Sequence, residues 1–177
     1  MTRCVSRSDY VSESLAVVNS KELVKFLEDN DIAYQVANDS TVIVTFSGNH
    51  RKTITVVCST GQRYLRMESF IARNPDENHQ VVYRWLLEQN VKIPMASYGV
   101  DQFGDIYLRS SMLTSTVTPD VLDQVLGVFA RNSEESFNVI LELGFRQAIE
   151  REWAWRTSRG MSTENLEAFS HLINELD

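Results

Sequence analysis

Between residues 33 and 71 the chain reads as four short β-rich runs, each closed by turn residues, and this punctuation most constrains the fold. Ala33 to Ala37 is followed by Asn-Asp-Ser, Thr41 to Phe46 by Ser-Gly-Asn-His, Thr53 to Ser59 by Thr-Gly-Gln, and Arg63 to Ile71 completes the set. In the second run Val42, Val44 and Phe46 alternate with Thr41, Ile43 and Thr45, as a strand with one core-facing side requires. The pattern predicts an antiparallel meander that needs helices on its apolar face.

Those helices are legible on either side. Residues 1 to 18 are Ser-rich with a short apolar patch at Leu15 to Val18, and read as a loosely held arm. Asn19 and Glu22 form a capping-box pattern, and Leu23, Val24, Phe26 and Leu27 predict a helix over 20–29. Asn74-Pro75-Asp76 ends the meander, and Val81, Val82, Trp85 and Leu86 predict a second helix to about Asn90. Pro94 to Val100 and Asp105 to Leu113 form another strand pair around a glycine-containing turn. Thr118-Pro119-Asp120 starts a helix reaching Ala130. Asn132 and Glu135 suggest a fresh cap for a long helix to about Thr157, and Ser162 caps a last one carrying Leu166, Phe169, Leu172, Ile173 and Leu176. No repeat or linker divides residues 19–177, so one α+β domain is expected, with 133–177 as a helical extension.

Charge narrows the partners. With 17 basic and 24 acidic residues the formal charge is −7, which opposes phosphate backbones, so nucleic acid is not the expected partner. The excess of arginine over lysine fits planar, stacking work at a surface, but an arginine-rich genome explains it as well. No stretch approaches the ~20 apolar residues of a membrane span or forms a signal-peptide core, and a cytoplasmic protein is expected. Cys4 and Cys58, in a polar tail and a β-like run, do not suggest a disulfide.

From Trp85 to Gly127 the segments "WLLEQN", "YGVDQFGDIYLRSSM" and "VTPDVLDQVLG" resemble the YbjN family, also labelled bacterial sensory-transduction regulators. The likeness covers roughly residues 20–131, and residues 133–177 resemble an extension of actinobacterial members. It implies a type III secretion chaperone-like fold, an antiparallel sheet with helices on one face. It also implies a compact, acidic, dimeric module that binds polypeptides or regulates, and it supplies no catalytic residue.

The residues themselves offer no catalytic constellation either. His50, His79 and His171 stand apart, without a neighbouring histidine or cysteine at metal-ligand spacing. Asp101 and Asp105 flank a turn and lack the other calcium-loop ligands, and Ser59 to Gln62 lacks the lysine of a phosphate loop. Glu134 and Glu135 read as first-turn carboxylates meeting a helix dipole. Neither a cofactor nor a metal is expected. The first functional expectation is a non-enzymatic binding module that receives an extended peptide at a sheet edge. The alternative is a small-ligand sensor or enzyme with a pocket lined by Tyr98, Tyr107 and Arg109, the arginine holding an anion.

"REWAWRTSRG", residues 151–160, holds two of the three tryptophans. At 100° per residue Trp155 falls on the stripe of Phe137, Ile140, Leu141, Gly144 and Ala148, so it is expected to be buried. Gly144 is expected where another backbone comes close. Trp153 lies with Ile149 on a second strip that Leu166 and Phe169 could cover, in cis or across a homodimer. Otherwise Ile149, Trp153, Arg156, Leu166 and Phe169 would present an anchor for a polypeptide partner.

Overall fold

The computed structural model describes residues 19–174, so the expected arm over 1–18, Cys4 and Leu176 lie outside the described residues. Helix α1 (Ser20–Asp29) opens the chain, with Asn19 accepting from the amides of Lys21 and Glu22 while the Glu22 carboxylate accepts from the Asn19 amide. The meander follows as β1 (Tyr34–Asn38), β2 (Thr41–Phe46), β3 (Ile54–Thr60) and β4 (Tyr64–Ala72). Helix α2 (His79–Asn90) leads to β5 (Ser97–Val100) and β6 (Ile106–Leu113). All pairs are antiparallel, in the order β1-β2-β3-β4-β6-β5, so β6 inserts between β4 and β5. The fold is α+β, built on one antiparallel sheet, as expected.

Alternation decides the faces. Val42, Val44, Val56, Cys58, Leu65, Met67, Ile71, Ile106 and Leu108 are buried on one side with Leu23 and Leu27 of α1. Across the same core lies helix α3 (Pro119–Ser158), contributing Leu122, Val125, Leu126, Phe129 and Ile140. Thr118 caps it and Pro119 fills its first turn. A serine lets α3 lie close to β4: Ser133 is buried, and its Oγ donates to Ser69 Oγ at 3.3 Å.

The expected break at residues 130–133 does not occur. Asn132 turns its amide back onto the Val128 carbonyl at 2.8 Å inside a continuous helix, and caps nothing. Glu134 is therefore mid-helix, and its carboxylate accepts from the backbone amides of Asn49, His50 and Arg51. The real interruption is at Phe145 (φ −141°, ψ 17°). There the Gly144 carbonyl accepts from the amides of Asp76 and Glu77, Asn78 donates to the Leu143 carbonyl, and Glu77 accepts from the Gln147 amide. The loop after β4 thus caps the end of one helical segment and the start of the next. Gly144 is the close approach: a Cβ there would stand 2.9 Å from Cβ of Pro75.

That kink corrects the expectation for Trp155. A helical phase carried through Phe145 no longer holds, and Trp155 is 43% exposed with the Arg159 guanidinium 5.2 Å from its ring centre. Beyond Gly160, a 3-10 turn (Glu164–Phe169) and helix α4 (Ser170–Asn174) fold back, and Phe169 and Leu172 bury against Ile149, with Leu141 alongside. The last segment therefore closes on its own chain. Trp153 and Leu166 are half-buried. Phe169→Ala is expected to cost ~3–5 kcal/mol by urea denaturation. Trp155→Ala is expected to cost less than ~1 kcal/mol in the same measurement.

Candidate functional site

The sheet has two edges, and the chain treats them differently. At β5 the strand pairs with β6 on one side, while Asn90, the last residue of α2, meets the other. The Tyr98 amide donates to Asn90 Oδ1 at 2.6 Å, and Asn90 Nδ2 donates to the Tyr98 carbonyl at 3.1 Å. One side chain thus takes the outward amide and carbonyl of Tyr98, covering the middle of this short edge. Tyr98 is buried below it, tilted against Trp85 with ring centres 6.0 Å apart.

Strand β1 has no such cover among the described residues. The Thr45 amide donates to the Ala33 carbonyl, which makes these opposed residues a hydrogen-bonded pair. Alternation then turns the backbone groups of Tyr34 and Val36, opposite Val44 and Val42, away from β2. Val36 is 53% exposed. Its side shares a groove of ≈ 380 Å³ with α1, where Val24 gives an apolar wall and Lys21, Lys25 and Glu28 give charged rims. Two ties hold α1 against this edge: Tyr34 Oη donates to Glu28 Oε1, and Ser20 Oγ to the Asp39 carbonyl, both at 2.6 Å. The Glu28 bond, together with burial, holds the Tyr34 phenol above its ordinary pKa.

The structure does not bring Tyr98, Tyr107 and Arg109 into one pocket, which corrects the alternative expectation. Tyr98 opposes Leu108 on the covered face, where its hydroxyl donates to the Asn132 carbonyl and burial pushes its pKa up to about 12. Tyr107 and Arg109 occupy the opposite face, Arg109 pairing with Glu68 and lying 5.0 Å over the Tyr107 ring. Strand alternation splits residue 98 from residues 107 and 109 across the sheet. Ile149 and Phe169 are spent in the cis cluster, and Arg156 holds Glu152 and donates to the Ser162 carbonyl.

The acidic turn is occupied with its own backbone. Asp101 Oδ1 accepts from the amides of Phe103 and Asp105, Asp105 Oδ1 accepts from Asn74, and Gly104 takes φ 89°. Among the described residues no group of three or more His, Cys, Asp or Glu side chains could hold a metal ion, and no helix is long and apolar enough to cross a membrane. Cys58 is buried, which pushes its thiol pKa up to about 12.

Residues 19–142 match the family described as "YbjN: Putative bacterial sensory transduction regulator". An uncharacterized protein of Mycobacterium leprae is 44% identical over 134 residues, covering 76% of this chain and 73% of its own. One from Mycobacterium tuberculosis is 45% identical over 131 residues, covering 74% and 72%. Among solved structures, YbjN of E. coli aligns with a TM-score of 0.52 at 16% identity, over 76% of this chain and 97% of that one. A chain of the ExoU-SpcU complex from the type III secretion system of Pseudomonas aeruginosa gives 0.52 at 14%, over 68% and 96%.

Sequence reading missed Asn90, Val24 and Val36 as edge residues. An edge is a property of strand order, and neither periodicity nor cap chemistry carries that order. Asn90→Ala removes both partners of Tyr98 and is expected to lower stability by about 1–3 kcal/mol. Amide exchange should accelerate at Tyr98 and stay unchanged in β2.

Proposed function

The chain belongs to the YbjN family, and from that membership and its unequal sheet edges we propose a non-enzymatic module that binds an extended segment of another polypeptide along β1. The observation carrying this reading is that Asn90 caps the β5 edge while Val36 stands exposed on β1 beside a groove. An added strand would take its hydrogen bonds from the outward groups of Tyr34 and Val36. Every second side chain would enter the groove between Val24 and Val36, with Lys21, Lys25 and Glu28 selecting its charge. That one fold neighbour is solved as a heterodimeric complex supports the reading. The split of Tyr98 from Tyr107 and Arg109 weighs against the small-ligand alternative.

Proline tests the edge directly, because at an outward-facing edge position it removes a donor without breaking the ladder. Val36→Pro is expected to change stability by less than ~1 kcal/mol. In a peptide array of extended, alternating sequences it should weaken the peptides captured by the wild type by at least about tenfold. Capture that survives Val36→Pro unchanged would remove β1 as the site.

The same module is proposed to act as a cytoplasmic homodimer. The apolar surplus that supports this is on α2 and just beyond it, where Leu87 is 67% exposed and Val91 88%. The covering of Ile149 in cis takes the C-terminal strip out of that role. Sedimentation at micromolar concentration should show a dimer that Leu87→Glu converts to monomer.

A further inference from the structure

A second opening lies inside the sheet, away from β1. Pairing between β3 and β4 runs from Thr60↔Leu65 to Val57↔Glu68. Beyond that point Ile54 to Val56 continue against β2, and Ser69, Phe70 and Ala72 against β6. Arg51 reaches into the parting. Its Nη1 donates to the Phe70 carbonyl at 2.6 Å, and its guanidinium carbon lies 5.4 Å from the ring centre of Phe137 and 6.0 Å from that of Phe70. Beside it a cleft of ≈ 440 Å³ is lined by Phe70, Ile71, Phe137, Leu141 and Phe145, with Arg73 also on its wall.

The charges around this cleft are unevenly spent. Arg73 gives Nη1 and Nη2 to the two carboxylate oxygens of Asp76, both at 2.8 Å, and lies over the Phe145 ring. Glu134 has both oxygens engaged by the amides of residues 49–51, and reaches the Arg51 guanidinium only as a nearby charge. Arg51 is different. A guanidinium carries five N–H donors, and among the described residues this one makes a single hydrogen bond. Burial lowers its pKa and Glu134 raises it, yet an arginine keeps its charge in such surroundings. A half-buried cation with free donors faces an apolar wall.

We propose that this cleft binds a small monocarboxylate with an apolar body, of the medium-chain aliphatic acid class. The carboxylate is taken by Arg51 and the body lies on Phe137, Leu141 and Phe145. Guanidinium and carboxylate match in planar, two-point geometry. The volume lies in the range of small-molecule sites, about 300–1,000 Å³. A polyanion fits poorly, because Arg73 is already paired with Asp76, which leaves Arg51 as the cation facing the cleft, and the chain carries −7 overall.

The test is calorimetric titration of the full chain with decanoate and, separately, with decanol. Decanoate is expected to bind saturably at submillimolar concentration, and decanol at least about tenfold more weakly. Arg51→Met should lose at least about tenfold in decanoate affinity, whereas the exposed neighbour Lys52→Met should lose nothing. On binding, the Arg51 Nε–H resonance should shift in the wild type. Equal binding of decanol, wild-type affinity in Arg51→Met, or no saturable binding of decanoate would each overturn the proposal. Should Arg51→Met fail to fold, the decanoate–decanol comparison and the Arg51 resonance decide on the wild type alone.

Discussion

The contact between α3 and strand β4 holds the rest of the structure in place. A six-stranded sheet with one apolar face must be covered, and burial of its Val, Leu and Ile side chains supplies the main driving force. Helix α3 covers it by crossing β4 at Ser133, whose small side chain meets Ser69 and lets the helix lie close to the sheet. Once α3 lies there, Glu134 can reach the turn between β2 and β3, and Gly144 can meet Pro75. The covering helix therefore also fixes two loops.

The joint at Gly144 shows how a helix end can be built from another segment. The carbonyls of residues 143 and 144 and the amide of Gln147 would all be orphaned at a break. Asp76, Glu77 and Asn78 satisfy them within one short loop. The match to the YbjN family ends at residue 142, just before this joint. The chain beyond it folds back through Ile149, Phe169 and Leu172.

Two of the openings left among the described residues follow from strand pairing. At β1 a strand has one neighbour, so half of its backbone groups face outward. Between β3 and β4 the pairing stops short, and an arginine with two phenyl rings occupies the gap. The first suits an extended backbone and the second a compact ligand with one charge. Asn90, by contrast, covers the outward backbone groups of Tyr98 on β5 with a single side chain.

The sequence by itself determined the local elements, because each is specified by neighbours a few residues away. The alternation of Thr41 to Phe46, the capping box at Asn19 and the Thr118-Pro119 helix start are all present where periodicity and cap chemistry put them. Local rules failed where a distant segment supplied the partner. Asn132 resembled a cap but is helix interior, and Trp155 lost its expected face because the loop at 76–78 broke the helical phase at Phe145. The candidate sites belong to this second class. That Tyr98 and Arg109 face opposite sides, that β6 lies between β4 and β5, and that Arg51 reaches Phe70 are consequences of strand order and register. Those were settled only when the apolar face closed, since hydrogen bonding between strands is indifferent to sequence and burial of the whole face is what selects one pairing.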